Sequence, residues 1–323
     1  MSLIYEFVQI DRPRVLKRLL QLMPDNVIPV FDLEDSHWVP GDASATEQNK
    51  SVARGKIITF CELQVDQINR RNISLRINNP TLGCMDQDML VARALYHSLG
   101  LSCLMIPKVE SRSTLIAVRS ALARYGLQNV QIAPIVETAS GIERIENIAA
   151  AAKEFNVTSL IYGFHDYWYE TRVWPFPSAH EAKYWLPVLK IVEKLMDHDL
   201  RYVSPPEPRL KDLEILQTIY SRLTELCGEK FDFLSAGRSQ TKILSEIILS
   251  EYKLSYRPVD AMPSKDSSIE SKIERAKMVC LAYKENKRTL ESFASDPSSS
   301  YFISPHEYES ALQFLKDNKV AVH

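Results

Sequence analysis

The sequence contains few glycines and few cysteines, and both shortages narrow the classes of protein that it can encode. Only nine of the 323 residues are glycine, against 17 prolines, which indicates ordered loops rather than flexible linkers. The five cysteines are scattered and include no Cys-x-x-Cys pair. This spacing argues against a disulfide framework and against a zinc knuckle.

Long apolar runs and blocks of one charge are also missing. No apolar run reaches 18 residues, and residues 1–6 show no basic segment leading into an apolar one, so we expect neither a membrane span nor a signal peptide. The formal net charge is −2 without a Lys/Arg cluster, which excludes the electrostatic footprint of a nucleic-acid-binding protein. The composition therefore predicts a soluble, cytoplasmic globular protein.

Short apolar segments alternate with amphipathic helical segments along the first 240 residues. Eight strands are predicted: Ile4–Val8, Val27–Leu33, Ile73–Asn78, Leu101–Ile106, Val130–Val136, Thr158–Tyr162, Arg201–Val203 and Phe231–Ser235. The strand-end residues Arg76, Lys108, Glu137 and Asp166 follow one another at intervals of 32, 29 and 29 residues, about one βα unit each.

This repeat predicts an α/β protein whose residues 1–240 form a (β/α)8 TIM barrel. A doubly wound sheet is the alternative, but it requires a glycine-rich phosphate loop, and the sequence has no Gly-x-Gly-x-x-Gly. Residues 241–323 are helical in pattern and polar, with breakers at Pro258, Pro263 and 296–300. We expect them to form a C-terminal helical extension that packs on the barrel or on a neighbouring subunit.

Polar residues follow several predicted strands, and in a barrel such residues converge on one mouth. The second strand leads directly into an acidic stretch, and four later strands end in charged or polar side chains. The candidates are Asp32, Glu34, Asp35, Arg76, Asn78, Lys108, Glu110, Glu137, His165 and Asp166. Because buried carboxylates are costly without a compensating cation, this set predicts a cation at the mouth.

Glu137 and Asp166 suit a Mg²⁺ site, since this ion takes one or two carboxylates and keeps other positions for water and substrate oxygens. Zinc is disfavoured because the seven histidines form no His-x-x-x-His pair. The alternative is that both acids accept hydrogen bonds from amides at helix N-termini. Lys108 is a candidate Schiff-base residue or a salt-bridge partner, and His165 a candidate acid–base group or a wall residue.

Six segments in this order resemble the citrate lyase β-subunit-like branch of the HpcH/HpaI aldolase and citrate lyase superfamily. They are Phe7–Pro13, Phe31–Ser36 with Lys50 and Ala53-Arg54 beyond it, Leu75–Asn78, Ile106–Glu110, Pro134–Ala139 and Gly163–Tyr167. The resemblance covers roughly residues 4–260 and implies a Mg²⁺-dependent lyase that breaks or makes a C–C bond next to a carbonyl. It implies substrates of the citryl- or malyl-thioester type and a homotrimer or a multiple of it.

Carried over by motif, Glu137 and Asp166 would ligate Mg²⁺, and Glu34 and Asp35 would hold water bound to the metal. Arg76 would bind the substrate carboxylate and stabilise charge on oxygen. Lys108 and His165 complete the set of candidate catalytic residues.

The chain departs from the family pattern around the substrate. Gln9-Ile10 replaces a Pro-Gly after the first strand, and His165 stands where a glutamate often precedes the second metal aspartate. The metal and arginine positions match the family, whereas the residues around the substrate differ. The resemblance therefore supports the reaction class more strongly than it supports the use of coenzyme A. Two alternatives stay open: an aldolase of the same fold using a free 2-oxo acid or a phosphorylated substrate, and a catalytically idle paralogue acting as a scaffold or sensor.

Overall fold

Eight parallel strands close into a barrel in the computed structural model, which describes residues 1–64, 68, 70–250, 268–286, 294–296 and 301–320. Each strand pairs with the next along the chain, and the eighth pairs with the first. The strands are β1 (Ile4–Phe7), β2 (Val27–Asp32), β3 (Ile73–Arg76), β4 (Leu101–Ile106), β5 (Gln131–Val136), β6 (Ser159–Tyr162), β7 (Arg201–Ser204) and β8 (Phe231–Ser235). The predicted (β/α)8 barrel is confirmed.

Helices follow the strands and cover the outside of the barrel. They are α1 (Pro13–Leu22), α2 (Ala43–Gln64), α3 (Met85–Ser98), α4 (Arg112–Arg124), α5 (Ala139–Glu143), α6 (Ile145–Ala150), α7 (Phe164–Glu170), α8 (Ala182–Asp197), α9 (Leu213–Cys227) and α10 (Arg238–Leu249). Within the described ranges, none of the helices combines the length and the apolar character that a membrane crossing requires.

The two faces of each strand bury different layers, as a period of two requires. Val30, Met105 and Ile161 belong to a small cluster inside the barrel, whereas Phe31 and Leu75 join the large layer between strands and helices. Side chains at even positions of β2 and β3 therefore point inward. The last inward positions of these two strands are Asp32 and Arg76, which are charged and lie at the mouth of the barrel.

Two predictions of helix bounds were wrong. The sequence pattern predicts a helix that begins near Asn49, but α2 begins at Ala43, because the Asp42 carboxylate accepts a hydrogen bond from the Ala45 amide at 2.9 Å. The pattern also predicts one helix over 141–155, which is divided into α5, α6 and a 3₁₀ turn, since Arg144 leaves the helical conformation. His165 and Asp166 lie after β6, in the first turn of α7.

The chain beyond the barrel contains α11 (Ile269–Asn286), an antiparallel pair of β9 (Ala294–Asp296) and β10 (Tyr301–Ile303), and α12 (Pro305–Asp317). We refer to these elements as the C-terminal unit. It is not wholly helical, in contrast to the prediction, and the predicted division at 240/241 falls inside α10. The unit has a small apolar core of its own, and α12 packs against α7 at the mouth of the barrel.

Candidate functional site

Asp32 and Arg76 form the most regular ion pair at the mouth. They are register partners on neighbouring strands, and both face inward. Arg76 donates from Nε to Asp32 Oδ1 and from Nη2 to Asp32 Oδ2, both at 2.7 Å. Burial alone would raise the pKa of Asp32, but the charge and hydrogen bonds of Arg76 bring this pKa well below its usual range. Asp32 is therefore an ionised anchor that fixes the guanidinium.

Arg76 also contacts the acidic stretch that follows β2. Its Nη1 donates to Asp35 Oδ2 at 2.8 Å and lies 3.2 Å from Glu34 Oε2, without an aligned hydrogen bond to the latter. The guanidinium carbon lies 5.0 Å from the centre of the Phe7 ring. Three of the five N–H groups thus donate to Asp32 and Asp35, which leaves two for other oxygens.

Lys108 lies at the centre of the remaining carboxylates. Its Nζ is 2.8 Å from Asp166 Oδ1, 3.3 Å from Glu34 Oε1 and 3.8 Å from Glu137 Oε1. Burial would lower the pKa of the ammonium, but the three acids raise this pKa far above its usual value. A Schiff-base nucleophile must be a neutral amine, so the geometry favours the salt-bridge interpretation of this residue.

The backbone of Lys108 is strained. Its φ is +53°, a left-handed conformation that costs a non-glycine residue on the order of 1 kcal/mol. In this conformation its N–H donates to Glu137 Oε1 at 2.9 Å, so the turn after β4 presents both the amide and the ammonium to one cluster of acids. Residues held in this way concentrate at functional sites.

The pKa values of Glu137 and Asp166 shift in opposite directions although the two carboxylates are neighbours. Burial, reinforced by the charge of Asp166, raises the pKa of Glu137 well above its usual value. Burial also acts against ionised Asp166, but His306 and Lys108 bring the pKa of Asp166 far below its usual value. Burial and the charge of Asp35 raise the pKa of Glu34 to about 7. Asp166 therefore gains most from the nearby cations, whereas for the other two acids these cations do not offset the effect of burial.

The local charges do not balance. Two permanent cations, Arg76 and Lys108, and the imidazole of His306 face five buried or half-buried carboxylates: Asp32, Glu34, Asp35, Glu137 and Asp166. Oxygen donors in this number, with two acids that resist ionisation, form a set that suits a hard divalent cation. The residues present therefore fit the metal that the sequence motifs imply.

His306 is a site residue that the sequence analysis missed. It precedes Glu307 on α12, is 5% exposed, and its Nε2 lies 3.1 Å from Asp166 Oδ1. Ligand atoms of Asp35, Asp166 and His306 all lie within 4.8 Å of one another. The only sequence signal was the capping pattern at 304–307, in which the Ser304 hydroxyl accepts from the Glu307 amide at 3.0 Å. That pattern locates the helix start but not its place at the mouth.

His165 lies among aromatic rings. Its ring centre is 5.2 Å from that of Phe164, 6.1 Å from Phe176 and 6.1 Å from Phe302. Burial and the nearby His306 lower the pKa of His165 to about 4, and its Nε2 has no hydrogen-bond partner among the described residues. The side chain is thus a neutral part of the wall at neutral pH, which favours the wall interpretation over acid–base catalysis.

The Lys50-x-x-Ala-Arg54 segment and Asn78 support the mouth from outside. Arg54 Nε donates to Asp88 Oδ1 at 2.8 Å, and the Asn78 amide donates to Asp88 Oδ2 at 2.8 Å. This buried network fixes α2 and α3 to the end of β3, two residues beyond Arg76. Arg54 and Asn78 thus act on the position of the site and do not line its cavity.

A cavity of about 320 Å³ opens between the charged side chains at the barrel mouth and an apolar wall. Its charged end is formed by Asp32, Asp35, Arg76, Glu137 and Asp166. Its apolar lining comes from the barrel and from the C-terminal unit and includes Phe7, Ile135, Ile161, Leu210, Leu234 and Phe302. This size is at the lower end of the range for small-molecule sites.

Gly163 makes room for Glu137. A Cβ at position 163 would clash with Cβ and Oε2 of Glu137, whereas a Cβ at Gly55 on α2 would meet nothing within 4 Å. We expect Gly163→Ala to reduce divalent-metal affinity by at least about tenfold, the loss typical when the support of a ligand is disturbed. Isothermal titration calorimetry with Mg²⁺ measures this affinity. Gly55→Ala is the control and should bind Mg²⁺ as tightly as the wild type does. Equal affinity in both variants would show that Glu137 does not hold the metal.

Two buried acids lie near each other where the C-terminal unit meets the barrel. Burial raises the pKa of Glu207, in the loop after β7, and that of Glu307 to about 7 each. The hydroxyl of Tyr301 donates to Glu307 at 2.8 Å. Both acids bind more protons in the folded chain than in the unfolded chain, whose pKa is about 4.5.

The free energy of unfolding should therefore contain a contribution that falls as pH rises from about 4.5 to about 7. Glu307→Gln removes one titrating group and keeps an acceptor for Tyr301, so it should be more stable than the wild type at pH 8 and closer to it at pH 5. Urea unfolding at both pH values measures the difference. A gap between variant and wild type that does not depend on pH would contradict the expectation.

A sequence model of the HpcH/HpaI aldolase/citrate lyase family matches residues 4–182, which is more than half of the chain and includes Arg76, Lys108, Glu137 and Asp166. The chain belongs to this family. The resemblance inferred from six short segments is thus confirmed, although the matched region is shorter than 4–260. A comparison with curated proteins found no match.

Solved structures of the family's fold are similar at low sequence identity. RipC from Yersinia pestis is 21% identical, with a TM-score of 0.52 over 76% of this chain and 94% of that chain. The citrate lyase β subunit from M. tuberculosis, complexed with oxaloacetate and magnesium, is 20% identical, with a TM-score of 0.52 over 76% and 96%. Malate synthase from Haloferax volcanii, with magnesium and glyoxylate, is 12% identical, with a TM-score of 0.63 over 98% and 91%. At these identities the similarity shows the fold.

Proposed function

We propose that this family member is a Mg²⁺-dependent carbon–carbon lyase that cleaves or forms a bond next to a carbonyl in a 2-hydroxy or 2-oxo acid. The excess of carboxylates over cations around the cavity is the observation that carries the proposal. Structures of the same fold contain magnesium with oxaloacetate or glyoxylate, which supports this choice of metal and substrate class.

Glu137 and Asp166 would hold the metal, and Glu34 and Asp35 would accept hydrogen bonds from its water ligands. When bound, Mg²⁺ would polarise a carbonyl or hydroxyl oxygen of the substrate and lower the barrier to bond cleavage. It would also add to the positive charge near Glu34 and Glu137, so these acids would ionise at neutral pH.

Arg76 orients the substrate in this proposal. Its two N–H groups that are not donated to Asp32 or Asp35 would bind a substrate carboxylate or an oxygen on which charge develops. Asp32 accepts hydrogen bonds from both Nε and Nη2 of Arg76, so the guanidinium is already fixed in place before the substrate binds. Lys108 holds Asp166 in place, and the apolar wall with Phe302 excludes water from the reacting bond.

A citryl- or malyl-type thioester is the leading substrate, and coenzyme A would then reach the cavity from outside. A second candidate is a free 2-oxo acid, which is favoured by the C-terminal unit: Phe302, Ser304 and His306 line the cavity and restrict it to about 320 Å³. Gln9 also lines the cavity, at the position where the family has a Pro-Gly turn.

Ligand-dependent thermal stability separates these candidates, because a ligand that binds the folded state raises Tm. Mg²⁺ with oxaloacetate or pyruvate should raise Tm more than Mg²⁺ alone. A further rise with acetyl-CoA supports the thioester, and its absence supports the free acid. If no combination of divalent metal and oxo acid raises Tm or supports turnover, the enzyme proposal fails and the idle paralogue becomes the better account.

The assembly follows from the family resemblance and the location from the composition, and both are also proposals. We propose a cytoplasmic homotrimer, or a multiple of it. Light scattering after gel filtration should give three times, or a multiple of three times, the chain mass of 37.0 kDa. A monomer at micromolar concentration would contradict this assembly.

A further inference from the structure

The C-terminal unit places an imidazole beside the proposed metal ligands. His306 is the second residue of α12, directly after Pro305, and α12 packs against α7, which carries Asp166. Both side chains are largely buried, and His306 Nε2 is 3.1 Å from Asp166 Oδ1. The contact therefore joins the last helix of the chain to the barrel mouth, across 140 residues of sequence.

The ring of His306 is held in a defined orientation. It lies 4.8 Å from the ring centre of Trp38 and 5.6 Å from that of Tyr169. The Ser304 hydroxyl caps α12, and Tyr301 donates to Glu307 on the turn that carries His306. A side chain that is fixed from two sides pays little entropy when it binds a ligand.

We propose that His306 is a third protein ligand of the metal, so that the site combines carboxylates with one imidazole. This inference rests on the proposed metal site at Glu137 and Asp166. The ligand atoms of Asp166 and His306, together with an oxygen of Asp35, lie within 4.8 Å of one another, so an ion held by Asp166 would lie within reach of His306. The C-terminal unit thereby contributes directly to the site and closes it.

An imidazole ligand changes which metals the site accepts. Carboxylate and water suit Mg²⁺, whereas imidazole nitrogen suits first-row transition metals. The site should therefore prefer Ni²⁺ over Mg²⁺ more strongly than a site made of carboxylates and water alone. Replacing His306 with Gln should reduce this preference and leave binding through Glu137 and Asp166.

Pulsed electron paramagnetic resonance of the Mn²⁺-loaded full chain tests the proposal without relying on activity. Protein labelled with ¹⁵N-histidine should show a directly coordinated nitrogen. His306→Gln should still bind Mn²⁺ and lose this coupling. His165→Gln is the matched control, because His165 also lines the cavity and its variant should keep the coupling.

Each outcome decides a separate claim. If Mn²⁺ does not bind to the wild type, the proposed metal-dependent function fails. If Mn²⁺ binds without nitrogen coupling, His306 is only a hydrogen-bond partner of Asp166, and the present proposal fails while the proposed function stands. Coupling that persists in His306→Gln would assign the nitrogen to another residue, and this result would also overturn the proposal for His306. If that variant does not fold, a wild-type spectrum without nitrogen coupling still overturns the proposal. Coupling that survives both His165→Gln and His37→Gln, the other two histidines of the cavity, still assigns the nitrogen to His306.

Discussion

Replacing Glu137 with Gln should abolish metal-dependent turnover and make the metal-free protein more stable. The carboxylate is 2% exposed and has a pKa well above its usual value, so it destabilises the fold whenever it is ionised without a metal. A neutral amide of the same shape removes that cost. It also removes a metal ligand, which should reduce turnover at limiting Mg²⁺ by at least about 100-fold.

Asp166→Asn is the matched variant, because the same loss of function should come with the opposite effect on stability. Lys108 and His306 stabilise the ionised carboxylate of Asp166, whose pKa is far below its usual value, so its neutralisation should lower Tm. Steady-state kinetics and thermal unfolding at pH 7.5 without metal measure both quantities. Full activity in either variant, or the same stability change in both, would refute this description of the site.

Replacing Arg76 with Met should have the largest effect on stability. It leaves Asp32 ionised and buried without its bidentate partner, and breaking a buried pair on one side typically costs about 3–5 kcal/mol. The double variant Arg76→Met with Asp32→Asn should recover much of this loss, because it also removes the unpaired charge. Urea unfolding of the two single variants and the double variant gives the coupling energy.

Arg201 provides the control for this experiment. It donates two hydrogen bonds to buried Asp232, at 2.8 and 2.7 Å, but at the opposite end of the barrel, where β7 and β8 begin. Arg201→Met should lower the free energy of unfolding and leave Mg²⁺ affinity unchanged. A loss of metal binding in this variant would show that the effect of Arg76→Met on the site reflects general destabilisation.

Much of the site could be predicted because barrel geometry repeats with the sequence. Strand ends meet at one mouth, so the spacing of Arg76, Lys108, Glu137 and Asp166 along the sequence is enough to predict that they lie together. The pairing of Asp32 with Arg76 was also accessible, since both occupy the last inward positions of adjacent strands. Period-two alternation carries this information in any parallel barrel.

The remaining features depend on contacts that sequence periodicity does not encode. The left-handed backbone of Lys108 results from the turn after β4, and nothing in Ile106–Glu110 specifies it. The approach of His306 to Asp166 depends on how the C-terminal unit packs on α7, and the hydrophobic pattern of α12 does not identify that partner. The division of the helical region 141–155 likewise follows from local backbone geometry at Arg144.

The central claim is that the carboxylates at the barrel mouth hold a divalent metal, and its most direct test is a crystal structure with Mn²⁺. An anomalous difference map shows the ion independently of the assigned ligands. We expect one strong peak about 2.0–2.2 Å from oxygens of both Glu137 and Asp166. A map without a peak between these two residues, from crystals soaked at saturating Mn²⁺, would contradict the claim.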